Sequence, residues 1–257
     1  MIKLQFLGTG GLGSARIKNK LSRDYRRFPS LLIDERIIID PSEDIFEFEE
    51  SFMLSGLYSG VNIALVTHTH LDNFSISAIE RLASKRPLTV IAEKTAVCEL
   101  SDIPGVSVLT ASALSLIRVG EYSILPLPAN HTTDNISEVA LNYLVERSGK
   151  TVFYGIDGAF INSAAWRVLM NLHLDAVVLD CALTDNPYSK ESVEHNNLEM
   201  AAMIKDIFIT SSVADGQTKF ALSHITQDKR RVPHEELMAK ADSLGLKLTY
   251  DGYLLVI

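Results

Sequence analysis

The sequence predicts a layered α/β or α+β fold, on three observations. β-patterned runs come in two groups, each followed by helical stretches of similar length. Val61–Val66 is apolar except for Asn62, too uniformly for a surface strand, and reads as a strand buried on both faces beneath helices. No linker longer than a surface loop breaks the pattern, so the 257 residues read as one domain over 1–257.

In order, Ile2–Leu7 alternates as a first strand. Ser30–Ile33 and Arg36–Ile39 make a hairpin across Asp34-Glu35 that stops at Asp40-Pro41. Ser42–Leu57 reads as a helix capped by Ser42, with Ile45, Phe48, Phe52 and Leu57 turned inward. A helix at Ser75–Lys85, a strand at Leu88–Ala92, a short helix from Lys94 and strands at Val106–Leu109 and Leu114–Val119 follow. The middle is β-rich: Tyr122–Leu127, Val139–Glu146 and Thr151–Ile156, the last two joined through Ser148-Gly149-Lys150. Helices at Asn162–Leu172, Asn196–Phe208 and Pro233–Leu244 alternate with strands at Ala176–Leu179 and Phe220–Ser223. Leu246–Tyr250 and Tyr253–Ile257 are expected to pair as a terminal hairpin across Asp251-Gly252.

Composition sets limits. The content is 47% hydrophobic and 22% charged, ordinary for a globular chain. No apolar run reaches the roughly 18 residues of a membrane span, and Phe6 leads into glycines rather than a signal peptide's long apolar region, so a cytoplasmic protein without a membrane partner is expected. Cys98 and Cys181 are too few for a disulfide scaffold or a four-thiolate zinc site. The net charge of −8 argues against a long nucleic acid as partner. Against that trend, Arg16, Lys18, Lys20, Arg23, Arg26 and Arg27 crowd one stretch, readable as a solvated loop or as a lip for an anionic substrate. Gly8-Thr9-Gly10-Gly11-Leu12-Gly13, with Asp34 further on, matches a dinucleotide fingerprint. That motif must open a helix packed on the sheet, whereas Ser14–Arg27 is polar and basic and is closed by Pro29, so the glycines read as a turn.

The chemistry concentrates in Thr67-His68-Thr69-His70-Leu71-Asp72-Asn73, where the buried strand meets a helix. With His131, Asp157 and His224, each near the end of an expected strand, these residues make a nitrogen- and oxygen-rich set suited to zinc, iron or manganese. A single histidine at a strand end is more often a hydrogen-bonded structural residue. His173 and His234 lack such context and are set aside.

The order His-x-His-x-Asp, a distant His, Gly-x-Asp-Gly and a second distant His resembles the metallo-β-lactamase superfamily, and within it the phosphodiesterase branch, over nearly the whole chain. The pattern is similar to that of the accessory phosphodiesterase of phosphonate breakdown, whose cysteine-rich zinc insert this sequence lacks. The resemblance implies a four-layer αββα sandwich: two mixed sheets face to face, helices outside, metals at one edge. It implies one or two divalent ions, the first held by His68, His70 and His131, the second by Asp72 and His224, with Asp157 bridging, and hydrolysis by a hydroxide generated there. The usual motif carries a histidine where this chain has Asn73, whose amide oxygen suits manganese or calcium better than zinc; Asn73 stays in the ligand set on those terms. His195 and Asp180 lie where the branch places a histidine and an acid beside the scissile phosphate, and with Asp72 they are the catalytic candidates.

The expected activity is hydrolysis of a small or cyclic phosphodiester, a small anionic substrate, by a chain that could act as a homodimer. Hydrolysis of a lactone or carboxylic ester, tRNA 3′-end processing and a catalytically weakened metabolite-binding protein are the alternatives.

Overall fold

The computed structural model describes residues 1–14, 16–186, 188–226 and 232–257. β1 (Lys3–Gly8), β2 (Ser30–Ile33) and β3 (Ile37–Ile39) run antiparallel, with Asp34 and Glu35 both at left-handed φ in the second turn. α1 (Asp44–Ser51) then crosses to β4 (Ile63–Leu65), α2 (Ile76–Ala83) to β5 (Leu88–Ala92) and α3 (Lys94–Leu100) to β6 (Val106–Thr110), and each of these strands pairs parallel with the one before. Parallel neighbours require such crossovers, which place the helices on a face of the sheet.

The second sheet opens with the antiparallel strands β7 (Ile117–Val119), β8 (Tyr122–Pro128), β9 (Leu141–Arg147) and β10 (Lys150–Gly155). Ser148 and Gly149, both left-handed, form the two-residue turn that matches strand twist. α4 (Ser163–Leu169), β11 (Ala176–Asp180), α5 (Leu198–Thr210), β12 (Lys219–Ser223), α6 (His234–Ser243) and β13 (Lys247–Leu248) repeat the crossover pattern with parallel pairing. β14 (Leu254–Val256) returns to the first sheet beside β1. The strand orders are β14-β1-β2-β3-β4-β5-β6 and β13-β12-β11-β10-β9-β8-β7.

Three apolar layers explain the αββα stacking. Leu4, Phe6, Leu31, Ile39 and Leu65 from the first sheet meet Ile124, Tyr143, Val152, Tyr154 and Val178 from the second in a central core. Phe46, Phe48, Ile79, Leu82 and Leu100 cover the outer face of the first sheet, and Leu169, Ala201, Ile204, Phe208 and Leu237 that of the second. Each fully buried side chain of this size stabilises the fold by about 1.5–3 kcal/mol relative to exposure. The helices start where the sequence supplies caps: Ser75 accepts from the Ala78 amide and Asn197 from the Met200 amide.

Three expectations change. The first helix covers only Asp44–Ser51: Ser42 does not cap it, Met53 is left-handed, and Gly56 at φ 81° turns the chain away. Leu114, also left-handed, belongs to a turn, so the strand expected from there starts at Ile117. The terminal hairpin does not form. Its arms join different sheets because Asp251, buried at the turn, accepts from the Thr9 hydroxyl (2.8 Å) and the Arg27 amide (2.8 Å), fixing the crossing point.

Two residues of the basic stretch, Arg26 and Arg27, are buried at the same joint. Arg27 reaches Asp251 (3.1 Å) and Glu47 (3.2 Å), and Arg26 reaches Thr9 (2.8 Å), the Thr249 carbonyl (3.0 Å) and His234 Nδ1 (3.0 Å). Arg16, Lys20 and Arg23 pair with Asp44, Glu47 and Glu235. Among the described residues no helix opens from the glycine turn, whereas a dinucleotide fingerprint requires one. No described helix is long and apolar enough to cross a membrane.

Candidate metal centre

β1, β3, β4, β8, β10, β11 and β12 all point the same way within their sheets, so the loops beyond them gather at one edge of the sandwich. His68 and His70 follow β4, His131 follows β8, Asp157 follows β10, Asp180 ends β11 and His224 follows β12. Asp40, Asp157 and His224 take left-handed φ of 52°, 48° and 57°, a conformation L-residues adopt at a cost and that recurs at functional sites.

Three ring nitrogens converge on one side. His68 Nε2 lies 2.9 Å from His70 Nδ1, and His131 Nε2 lies 3.3 Å from the same atom. A cation held tetrahedrally at roughly 2.0–2.1 Å from each nitrogen separates its ligands by about 3.3–3.4 Å, close to this arrangement. Lone pairs facing one another at this distance repel unless a cation lies between them, so the trio fits a divalent metal. The tautomer of His68 agrees. Asp40 accepts from the Thr67 amide (2.8 Å) and the Thr67 hydroxyl (3.0 Å); that hydroxyl therefore accepts from His68 Nδ1–H (3.0 Å) and leaves Nε2 bare. Burial lowers the pKa of His68 to about 3 and also lowers that of His131, so both rings are neutral at pH 7.

The other side is built on carboxylates. His224 Nε2 lies 3.1 Å from Asp157 Oδ1 and 3.4 Å from Asp72 Oδ2, while its Nδ1 lies 3.0 Å from Asp180 Oδ2. The same Asp180 oxygen is 3.1 Å from His195 Nδ1, and its partner oxygen accepts from the amides of Ala182 (3.0 Å) and Asn196 (2.8 Å). One fully buried carboxylate therefore orients two imidazoles, which stack with centroids 5.4 Å apart. Burial disfavours the charged form of His224, but the charge of Asp157 and the contacts with Asp180 and Asp72 outweigh it and raise its pKa well above the ordinary value. Asp180 likewise raises His195 against the effect of burial. In return Asp72, despite burial, is brought down to about 2 by His224, and Asp180 falls well below the usual carboxylate range. Asp157 joins the two sides, its Oδ1 standing 4.0 Å from His131 Nε2.

All nine residues singled out from the sequence meet at this edge. Asn73, fully buried, plays a part the sequence did not disclose: its NH2 donates to Asp157 Oδ2 (2.9 Å) and Asp40 Oδ2 (3.3 Å), and its Oδ1 has no hydrogen-bond partner among the described residues. Its contact with the cluster is as a donor that orients Asp157. The orienting roles of Asp40 and Thr67 escaped the sequence reading, since Asp40-Pro41 signalled only a strand end and Thr67 only the approach to the histidines. Gly11 also acquires a reason here, because a Cβ on it would lie 2.7 Å from the His224 ring.

The beta-lactamase superfamily domain matches residues 35–213, more than two-thirds of the chain, including eight of the nine site residues, all but His224. The chain belongs to the beta-lactamase superfamily. Solved structures with the metallo-β-lactamase fold superpose on it throughout. Zinc-bound PqqB from Methylobacterium extorquens is 15% identical with a TM-score of 0.75, covering 99% of this chain and 100% of that one. The short form of human tRNase Z is 15% identical with a TM-score of 0.69, covering 99% of each chain. Yeast PDE1 is 10% identical with a TM-score of 0.65, covering 100% of this chain and 99% of that one. No curated protein matches the sequence. The superfamily identifies a metal-dependent hydrolase fold, and the clustered histidines and carboxylates are the groups such a fold uses.

Proposed function

We propose that the chain is a metal-dependent phosphodiesterase acting on a small anionic phosphodiester. The observation that carries this reading is the Asp180–His195 pair, 3.1 Å apart, with the His195 ring centroid 5.2 Å from that of His131. A histidine there would supply the proton that a phosphodiester's poor leaving oxygen needs, and of which a lactone's ring opening has less need. Likeness in fold to tRNase Z and to yeast PDE1 supports the same class.

His68, His70, His131 and Asp157 would hold one divalent ion, and Asp72, Asp157 and His224 a second. When bound, such ions act as Lewis acids and lower the pKa of coordinated water toward neutrality. The protein's own groups do the rest. Asn73 and Asp40 hold Asp157 and Thr67 in place. Asp180 keeps the His195 Nδ1 proton and so leaves Nε2 as the atom that hands a proton to the departing oxygen. The imidazole trio suits zinc, and the more oxygen-rich second set suits manganese or iron.

The test is hydrolysis of bis(p-nitrophenyl) phosphate by protein loaded with zinc or manganese. We expect turnover in the wild type and its loss, on the order of a thousandfold, in His68→Ala and His131→Ala. Activity that survives both substitutions removes the metal mechanism, and a wild type that cleaves lactones but no diester removes the phosphodiesterase assignment.

A further inference from the structure

The turn Gly8-Thr9-Gly10-Gly11 after β1 carries no metal-ligating or catalytic candidate, yet buried polar groups hold it in place. Thr9 is fully buried. Its hydroxyl accepts from the Arg26 guanidinium (2.8 Å) and donates to Asp251 Oδ1 (2.8 Å), and both partners are themselves buried. Arg26 runs on to the Thr249 carbonyl (3.0 Å) and Asp251 Oδ2 to the Arg27 amide (2.8 Å), so this one hydroxyl is tied to two separate segments of chain. A valine would fill the same space. Burying a guanidinium and a carboxylate is costly, and what their hydrogen bonds add here is a fixed position for Thr9.

The backbone of the same turn meets the residue after His224. The Thr9 carbonyl accepts from the Ile225 amide (2.7 Å), and Gly10 pairs with Ile225 as a single parallel bridge. Ser14 Oγ, held by the Gly11 amide (3.0 Å), donates to the Ile225 carbonyl (3.0 Å). On the other flank the Ser223 carbonyl accepts from the Cys181 amide (3.0 Å). His224, at φ 57°, therefore sits between two residues whose backbone groups are pinned to different parts of the fold. A residue other than glycine keeps a left-handed conformation only where its surroundings over-determine it. Relaxing that φ swings Cβ and carries the ring away from Asp157 and Asp72, which stand 3.1 and 3.4 Å from its Nε2.

Resting on the reading that Asp72, Asp157 and His224 hold a second ion, we propose that Thr9, fixed by Arg26 and Asp251, and Ser14 are positioning residues for His224. They hold the backbone around it and so set the affinity of the second ion while leaving the first alone.

The experiment combines a two-step zinc titration by calorimetry with hydrogen exchange at the Ile225 amide in chelated protein, a readout that needs no metal. In Thr9→Val the second-ion affinity should fall about 10–100-fold, as for other groups that orient a metal ligand, and Ile225 exchange should quicken at least about tenfold. First-ion affinity should stay within about twofold, because His68, His70 and His131 lie on other loops. Thr9→Ser returns the hydroxyl and should restore both readouts. Ser14→Ala leaves the buried network whole and serves where Thr9→Val does not fold; it should cost about two- to tenfold at the second ion only. Equal losses at both ions, or a second-ion affinity at the wild-type value, overturn the proposal. A wild type that takes up one ion only removes the two-ion reading, and Ile225 exchange then decides: quickened exchange keeps the positioning of His224, and unchanged exchange removes it too. Neither readout uses diester cleavage, so failure of the phosphodiesterase assignment leaves the result standing.

Discussion

His68, His70 and His131 meet with ring nitrogens 2.9 and 3.3 Å apart, whereas His224 lies among Asp157, Asp72 and Asp180, and His195 is held by Asp180. His68 and His224 are both buried, yet their protonation goes in opposite directions. On the first side burial outweighs the opposing pull of Asp157 and keeps His68 and His131 neutral. On the second side Asp157, Asp72 and Asp180 overcome the same burial and keep His224 charged. The difference shows that depth does not set the state of a buried histidine; the nearest counter-charge does. It also sets what a cation must displace. At neutral pH the first side is ready to bind, while the second must release a proton from His224.

The largest way to break this contrast is Asp180→Asn, which removes the one carboxylate orienting both His195 and His224. We expect kcat to fall by about 10²–10³-fold with KM little changed, less for a p-nitrophenolate leaving group than for an alkoxide. Equal losses for both leaving groups in steady-state kinetics count against a proton-donating His195.

Asn73→His restores an imidazole to the oxygen-rich side. The affinity of the second ion should rise by about 10–100-fold, read as metal per chain by elemental analysis after dialysis against a fixed free-metal concentration. An unchanged count, in a variant with a wild-type melting profile, shows that Asp72, Asp157 and His224 already suffice.

Next in size is the pH dependence of binding. Below the raised pKa of His224, second-ion affinity should increase about tenfold per pH unit as pH rises, with about one proton released per ion, whereas first-ion affinity should stay level near neutrality. Calorimetry in two buffers of different ionisation enthalpy measures that proton, and equal release at both steps contradicts the contrast.

The smallest effect is on stability without metal. His68 titrates at about 3 in the folded chain against about 6.5 when unfolded, so below about 6.5 the unfolded chain takes up a proton that the folded one refuses. Its contribution is present above that pH and is lost as pH falls toward 3, at no more than about 1.4 kcal/mol per unit. Melting of the chelated protein between pH 7 and 5 should therefore be less acid-sensitive in His68→Gln than in wild type.

Much of this could be read from the chain because the signals are local. His68, His70 and Asp72 are spaced within one strand-to-helix junction, and the apolar run before them announces its own burial. His131, Asp157 and His224 acquire meaning only in their order along the chain, since nothing near them in sequence reports the others. Asp40 could not be read at all: its carboxylate acts on Thr67, a residue 27 positions away, through a hydrogen bond that exists only once β3 and β4 pair. Asn73 was visible as a departure from the motif, but its donation to Asp157, 84 positions on, was not.

The basic stretch and the C-terminal segment mark the same boundary. Sequence pattern determined that strands and helices would alternate, which faces they would bury, and which residue types could carry the chemistry, because periodicity and turn preferences act over a few residues. Only the tertiary structure decided that Arg26 and Arg27 are buried fasteners and that the last two strands part to different sheets. Those outcomes depend on Asp251 and Thr9, which are 242 residues apart and meet only when the two sheets close on each other.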